Sequence, residues 1–184
     1  IRDRISFTET GQQLAERIRE SMDGETAVTL YTKCSRLEKK TVPAVDDSSA
    51  DTICVRNSLS AWAGEQMAAR HALIFIGACG IAVRAIAPWI MDKLHDSPVL
   101  VADEMGKYVI PLLSGHVGGA NELAVRLAGA LGAVPVITTA TDLHDSFAVD
   151  IFAKRNDLRI CNREGIAKVS AKVLAGEEIT MSVQ

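Results

Sequence analysis

The sequence predicts an α/β fold: a mainly parallel, doubly wound sheet with a smaller appended α/β lobe. Short apolar segments alternate with amphipathic segments along the 184 residues, which is the pattern of successive strand–helix–strand units. The apolar run from His71 to Ile76 is typical of a strand covered on both faces of a parallel sheet. Hydrophobic residues make up 48% of the chain and aromatic residues only 4%, so we expect an aliphatic core.

The first part of the chain, up to Met67, is predicted to contain two strands and two helices. Thr8 or Thr10 would cap a helix, because its hydroxyl can accept a hydrogen bond from an exposed backbone N–H, and Ser58 or Ser60 would cap another. In order, the predicted elements are a strand at 5–7, a helix with Leu14, Ala15, Ile18 and Met22 on one face that ends at Gly24, a strand at 27–31, a polar loop at 35–52 around Pro43, and a short helix up to Met67.

The middle of the chain has the clearest pattern. The helix predicted from Ala120 carries the strongest helical signal, because its apolar residues recur every three or four positions. Gly132 would end it. The other predicted elements are strands at 71–76, 98–102, 108–113 and 134–137, and a helix at 81–86 that Pro88 ends or restarts.

We predict a main domain over residues 1–142 and a smaller lobe over residues 143–184. In the lobe, Ser146 would cap a helix that runs through Phe152, a strand would cover 158–160, and Asn162 would cap a last helix that ends at Gly176. The stretch at 179–183 is strand-like. The chain opens at Ile1 without a methionine and stops after this stretch, so we expect it to be part of a longer protein.

The composition argues against several classes of function. The net charge of −3 and pI of about 5.8 argue against a nucleic-acid-binding surface. The longest apolar run, 72–78, is far shorter than the roughly 20 residues of a membrane helix. The four cysteines form no zinc-binding spacing and are expected to be free thiols. Without a signal-peptide pattern, we expect a cytoplasmic protein.

Three turns follow predicted strands and are rich in glycine or threonine, at 77–80, 114–121 and 138–142. In open parallel sheets, ligands bind at the carboxyl ends of the strands where the strand order reverses. The alternative is that these glycines only make tight turns. None of the three turns matches a P-loop or a G-x-G-x-x-G dinucleotide motif.

His116 is the strongest candidate for chemistry, because a histidine between Gly115 and Val117 at the mouth of a sheet is not needed for packing and could act as a general acid or base. The alternative is a histidine that hydrogen-bonds its own loop. Ser114 is a weaker candidate, since it lacks the context of a nucleophile elbow. Asn121 in the first turn of the following helix is first expected to act in capping.

Glu104 and Arg84 are the other charged candidates. The sequence from Asp103 to Gly106 is compatible with a hairpin turn, or with a carboxylate placed over the same sheet edge as His116. Arg84, one turn beyond Gly80, would bind a substrate carboxylate or be solvated.

Three segments of the chain resemble the CbiG family of anaerobic cobalamin biosynthesis. The segments are ALIFIGACGIAVRAIAP (72–88), LLSGHVGGANELAVRLAGALGAVPVITTATD (112–142) and FAVDIFAK (147–154). The opening ISFTETGQQLAERI and the later LYTKC are also similar to the start of that family. The block SGH-x-GGAN-E-L, from Ser114 to Leu123, is the most specific part of the resemblance.

The resemblance implies a hydrolase of the C–C bond class. CbiG proteins open the δ-lactone of cobalt-precorrin-5A with water and release acetaldehyde, which gives cobalt-precorrin-5B. The cobalt is carried by the substrate, so no cofactor and no protein metal site are expected. The expected partners are the cobalt-tetrapyrrole substrate and a C-terminal domain that this chain lacks, while a homodimer is left open.

On this basis His116 or Glu104 would be the base that activates water. The backbone N–H groups of Gly118 and Gly119 would stabilise the oxyanion. Gly80, Arg84, Ser114 and Asn121 complete the expected substrate-binding set.

This single site requires that the strands ending near Ile76, Leu113 and Ile137 be parallel neighbours, so that their loops share one edge. Two alternatives remain: a non-catalytic tetrapyrrole-binding part of the same protein, and a nucleotide-binding α/β module.

Overall fold

The computed structural model describes residues 2–21, 27–38, 52–92, 95–143 and 147–180. Within these residues the strands are β1 (Arg2–Ser6), β2 (Val28–Thr32), β3 (Thr52–Cys54), β4 (Ala72–Ile76), β5 (Val99–Ala102), β6 (Tyr108–Leu113) and β7 (Val134–Pro135). The helices are α1 (Glu9–Ser21), α2 (Ser35–Glu38), α3 (Leu59–Ala68), α4 (Cys79–Ile86), α5 (Ala120–Leu131), α6 (Ala140–Leu143), α7 (Val149–Arg155) and α8 (Arg163–Leu174). Met22, Gly24, Pro43, His144 and Ser146 lie outside the described residues.

Local sequence signals set several helix ends as predicted. Thr8, rather than Thr10, accepts the backbone N–H of Gly11 at 2.9 Å at the start of α1. Ser58 accepts the N–H of Ala61 at 3.0 Å at the start of α3. Gly132 ends α5 with a φ of 68°, a left-handed conformation that glycine adopts at little cost.

The sheet confirms the predicted α/β class. Its seven strands lie in the order β3-β2-β1-β4-β5-β6-β7, and every neighbouring pair is parallel except β5 with β6. After β1 the chain builds outward to β2 and β3, and then returns to place β4 on the other side of β1. The strand order therefore reverses between β1 and β4, which makes their carboxyl ends the topological switch point.

The expectation that the strands ending near Ile76 and Leu113 are parallel neighbours is wrong. Strand β5 lies between them, and β6 runs antiparallel to it, with Ala102 paired to Val109 and Val99 paired to Leu113. The cause is a tight turn after β5. The carboxylate of Asp103 accepts the backbone N–H groups of Met105, Lys107 and Tyr108 at 2.9, 2.9 and 2.6 Å, and this fixes the hairpin alternative.

One face of the sheet packs against α3 and α4 and is mostly aliphatic, as predicted. Ile5, Phe75 and Val101 are fully or almost fully buried there. The indole of Trp62 lies edge-on to the rings of Tyr31 and Phe75, with centroid distances of 5.2 and 5.8 Å. Such edge contacts orient large side chains beyond what area burial alone achieves.

The opposite face of β1 points toward α1 and holds an unusual buried charge. Ser6 donates to Gln12 of α1 at 2.7 Å, so Arg4, two residues earlier in the strand, is on that same face. Arg4 is 0% exposed, and within the described part of the chain none of its three guanidinium nitrogens has a hydrogen-bond partner. Burial, with the guanidinium groups of Arg2 and Arg19, lowers the pKa of Arg4 to about 10.

The chain divides into two compact units, Ile1–Val136 and Ile137–Gln184. The second unit contains α6, α7 and α8, and Asn162 caps α8 as predicted by accepting the N–H of Gly165 at 3.2 Å. The strand predicted at 158–160 is not formed, and the described residues of this unit are helical or irregular. An isolated strand has no partner for its backbone groups, so short β-type sequence there does not suffice.

Candidate functional site

A crevice opens at the carboxyl ends of the parallel strands, next to the switch point between β1 and β4. It encloses a cavity of about 470 Å³, which is within the usual range for small-molecule sites. The segments after β1 and β2 and the turn after β5 supply its walls. The lining residues are Phe7, Thr8, Glu9, Thr10, Lys33, Cys34, Ser35, Arg36 and Glu104.

Glu104 is held in this crevice by Thr8. The hydroxyl of Thr8 donates to Oε2 of Glu104 at 2.8 Å and accepts the N–H of Gly11 at 2.9 Å. The same hydroxyl therefore caps α1 and anchors the carboxylate near the positive end of that helix. Gly106 lets the turn reach α1, because a Cβ there would lie 3.1 Å from Leu14 Cδ1.

Two cations line the same cavity as Glu104. Lys33 is tethered through Nζ to the carbonyl oxygens of Asn57 and Val55, at 2.7 and 3.3 Å, and the exposed Arg36 follows it at the start of α2. A site with a carboxylate beside fixed cations can bind an anionic ligand and accept a proton from it or from water.

Gly80 and Arg84 lie at this same edge, in α4 directly after β4. A Cβ on Gly80 would lie 3.4 Å from Nη1 of Arg84, so the guanidinium lies over the first turn of the helix. Both residues are exposed. The structure thus places three of the predicted site residues at one edge of the sheet, namely Gly80, Arg84 and Glu104, of which only Glu104 lines the cavity.

The loop at 114–119 follows β6 and therefore lies at the opposite edge of the sheet. Six residues of β6, at about 3.4 Å per residue, place the two edges about 17 Å apart. The half-buried His116 consequently does not share an edge with Glu104 or Gly80. The single site expected from the sequence is wrong, because β6 runs against β4 and β5.

Packing explains the glycines of this loop. A Cβ on Gly118 would lie 2.4 Å from Ser114 Cβ, and one on Gly115 would lie 2.6 Å from Asn121 Oδ1. Ser114 itself has a φ of 57°, which is uncommon for a residue with a side chain. Its hydroxyl donates to the carbonyl of Asp96 at 2.8 Å, which ties the loop to the start of β5.

The backbone donors of this loop are largely used within it. The N–H of Gly119 donates to the carbonyl of His116 at 3.0 Å, and the N–H groups of Ala120 and Asn121 donate to Ser114 and Gly115 at 3.1 and 3.0 Å. The structure therefore does not support the oxyanion-donor role that the sequence suggested for Gly119. Asn121 is buried at the first turn of α5, where its side chain lies close to Gly115.

Sequence reasoning did not identify Thr8, Lys33 and Arg36 as site residues. The available signal was their position just after two strands, since Phe7 follows β1 and Lys33 follows β2. Their grouping with Glu104 depends on the strand order, which no local pattern reports.

The described residues contain no group of three or more His, Cys, Asp or Glu side chains placed to hold a metal ion. In that same part of the chain, no helix combines the length and apolarity needed to span a membrane.

Both edges of the sheet carry loops that match a known family. Residues 61–142 match the family model described as Cobalamin synthesis G N-terminal. This stretch of the chain is similar to the N-terminal region of the CbiG family. It includes Gly80, Arg84, Glu104 and the whole loop at 114–119, whereas Thr8, Lys33 and Arg36 lie outside it.

Three curated proteins are similar to part of this chain. The chain is 50% identical over 107 residues to a protein of Salmonella typhimurium named cobalt-precorrin-5A hydrolase, and 48% identical over 109 residues to one of the same name from Priestia megaterium. It is 32% identical over 111 residues to a probable cobalt-precorrin-5A hydrolase of Methanocaldococcus jannaschii. These matches cover 58%, 59% and 60% of the chain, but only 30%, 29% and 34% of the relatives.

A solved cobalamin biosynthesis protein G homologue from Sulfolobus solfataricus has a similar fold. The match has a TM-score of 0.54 and 24% identity, and it covers 99% of this chain and 50% of that one. At this identity the likeness shows the fold alone.

Proposed function

We propose that this chain is the N-terminal and middle part of a cobalt-precorrin-5A hydrolase of anaerobic cobalamin biosynthesis. In this proposal the protein opens the δ-lactone of cobalt-precorrin-5A and releases acetaldehyde, giving cobalt-precorrin-5B. The CbiG match over residues 61–142 and the relatives at 48–50% identity support it.

The substrate of this proposal binds at the crevice beside the switch point, and Glu104 is the base. The contact between Thr8 and Glu104, at 2.8 Å over a cavity of about 470 Å³, is the observation that favours this crevice. Glu104 takes a proton from water as the oxygen attacks the lactone carbonyl. The C–O bond of the lactone ring then breaks, and the ring oxygen leaves as an alcohol after it receives a proton. This hydroxyl then loses its proton as the bond between its carbon and the macrocycle breaks, which releases acetaldehyde, and the macrocycle carbon takes up a proton.

The cations around the crevice suit a substrate with several carboxylates. Lys33 is fixed by two carbonyl oxygens, so its ammonium group is already placed before a ligand arrives, which lowers the entropy lost on binding. Arg36 and Arg84 are exposed and offer forked donors that match carboxylates. In this proposal they bind the acetate and propionate groups at the rim of the macrocycle.

The experiment measures acetaldehyde released from cobalt-precorrin-5A by this chain and by a longer protein that includes the remaining length of its relatives. We expect Glu104→Gln to lower turnover about 100-fold or more, the usual scale for a lost general base. Glu122→Gln is the matched control, because Glu122 is an exposed carboxylate in the first turn of α5 at the opposite edge.

His116→Ala distinguishes the two edges. If His116→Ala abolishes turnover while Glu104→Gln leaves it near normal, the reaction takes place at the loop after β6 and the crevice is not the active site. If neither protein releases acetaldehyde, the proposed activity itself is wrong.

A second candidate is a non-catalytic tetrapyrrole-binding role, with the chemistry carried by the part of the relatives that these matches do not cover. The share of the curated relatives that the chain spans, about 30%, favours it. This role predicts that the chain binds cobalt-precorrin-5A, seen as a shift in its visible absorption, and that acetaldehyde appears only with the longer protein.

A further inference from the structure

A second cavity, of about 270 Å³, lies at the edge of the sheet opposite to Glu104. Its walls come from the end of α3, the turn after α4 and the segment that leads into β5, so it faces the amino ends of β4 and β5. It is smaller than the 300–1,000 Å³ typical of sites for drug-sized ligands. It therefore suits a ligand of only a few heavy atoms.

The indole of Trp89 forms a fixed wall of this cavity. A Cβ on Gly64 would lie 2.5 Å from Trp89 Cε2, so the ring lies directly on α3 at the one place where a side chain is missing. The indole Nε1 donates to the carbonyl of Ser60 at 2.7 Å. The ring is held in place although it is 43% exposed. Met67 lines the cavity as well.

Asp96 lies in the wall of the same cavity and carries a buried carboxylate. It is only 7% exposed, and its Oδ1 accepts the N–H of Met91 at 2.9 Å. Its Oδ2 is buried and accepts no hydrogen bond from any described residue. Arg70 on the cavity wall donates instead to the carbonyl of His95 at 2.7 Å.

A carboxylate oxygen without a donor is costly to bury, because it loses its hydration and gains nothing in return. A ligand that donates to Asp96 Oδ2 would remove this cost. An ammonium group would also neutralise the buried charge, and an aromatic ring in the cavity wall favours a cation. Met67 and Trp89 offer apolar contact to a short alkyl chain.

We propose that this cavity binds a small free primary amine in its ammonium form. The Asp96 side chain turns so that Oδ2, which is buried in this structure, accepts an N–H from the amine, and the alkyl chain lies against Trp89 and Met67. The proposal concerns residues at the opposite edge from the crevice and does not depend on the hydrolase assignment.

The test is a titration of the ¹⁵N-labelled chain with n-butylammonium, followed by amide and indole NMR shifts. We expect saturable shifts of the Trp89 indole N–H and of the backbone N–H of Met91, with a dissociation constant in roughly the millimolar range for so small a ligand. The indole N–H of the buried Trp62 serves as an internal control. 1-Butanol and butyramide, which share the chain but lack the charge, should bind at least tenfold more weakly.

Asp96→Asn is the decisive variant, because it removes the charge and keeps an oxygen to accept the Met91 N–H. We expect it to weaken butylammonium binding at least tenfold, whereas Glu122→Gln, which removes an exposed carboxylate at the same edge of the sheet, should change it less than twofold. Equal binding of butyramide and butylammonium, no saturable shift, or an Asp96→Asn variant that binds normally would each overturn the proposal. If Asp96→Asn does not fold, the comparison of butylammonium with 1-butanol on the unchanged chain still decides.

Discussion

Replacing Arg4 by methionine should stabilise the protein. Arg4 lies in β1 with no exposed surface, and its guanidinium has no hydrogen-bond partner among the described residues. Methionine keeps an unbranched stem of similar length, so most of the packing between the sheet and α1 should survive. The substitution removes a buried charge without leaving another charge unpaired, unlike the removal of one partner from an ion pair.

The pKa of Arg4 sets the size of the effect. The pKa falls from the ordinary arginine value to about 10, chiefly because of burial. Each tenfold change in proton affinity corresponds to about 1.4 kcal/mol, so keeping the charge in the fold costs roughly 3 kcal/mol. Some contacts of the longer side chain are lost, and we therefore expect Arg4→Met to raise the free energy of unfolding by about 1–3 kcal/mol.

Urea denaturation at pH 7 measures this change, with Arg17→Met as the control because Arg17 is exposed on α1. We expect the control to lie within about 0.5 kcal/mol of the unchanged chain. A lower free energy of unfolding for Arg4→Met would refute the reasoning, since it would mean that the guanidinium stabilises the native state.

The pH dependence gives an independent check with a definite sign. Because the pKa of Arg4 is lower in the folded state, the unfolded chain holds more protons between about pH 10 and the ordinary arginine range. In that window the unchanged chain gains stability relative to Arg4→Met as pH rises. Below about pH 9 both states are protonated, so the difference between the two proteins should be constant.

Three further predictions follow from the loops. Thr8→Val should lower the free energy of unfolding by about 1 kcal/mol through the lost cap and should also reduce acetaldehyde release, whereas Thr8→Ser should restore both. Gly118→Ala should lower the melting temperature sharply, because its Cβ would lie 2.4 Å from Ser114 Cβ. Gly129→Ala in α5, where a Cβ would have nothing within 4 Å, should instead raise the free energy of unfolding by about 0.5–1 kcal/mol. Equal melting temperatures for the two variants would contradict both predictions. Glu104→Gln, which should lower acetaldehyde release about 100-fold or more, should leave the unfolding midpoint within error, since Glu104 is exposed. A variant that unfolds instead would make Glu104 structural.

Local sequence chemistry predicted much of the helical structure. The period of apolar residues in 120–131, the left-handed Gly132 and the caps at Ser58 and Asn162 all depend on residues within one or two turns of each other. Such short-range interactions are encoded directly in the order of the side chains.

The direction of β6 was mispredicted, although the length of the connection between β5 and β6 indicates it. The apolar pattern of a strand is the same in either direction, so the pattern at 108–113 does not report it. The connection between Ala102 and Tyr108 spans only residues 103–107, however, and parallel neighbours need a crossover of about a dozen residues or more. Connection length was therefore the better predictor.

The candidate site was only half predictable for the same reason. Glu104, Gly80 and Arg84 were chosen from the residues after strands, and they do share an edge. Lys33 and Glu104 line one cavity because β2, β1, β4 and β5 lie in that order in the sheet. This strand order follows from long-range pairing rather than from any local pattern.

The turn that reverses β6 also has a consequence for how the chain folds. The pairing of Ala102 with Val109 closes a loop of only a few residues, and the three hydrogen bonds to Asp103 are formed within that loop. By contrast, Arg2 of β1 pairs with Ala72 of β4, which lies 70 positions further along the chain. Closing a long loop costs more chain entropy than closing a short one. The hairpin of β5 and β6 can therefore form before the central strands pair. The switch point between β1 and β4, and with it the crevice, is complete only after β1 has paired with β4.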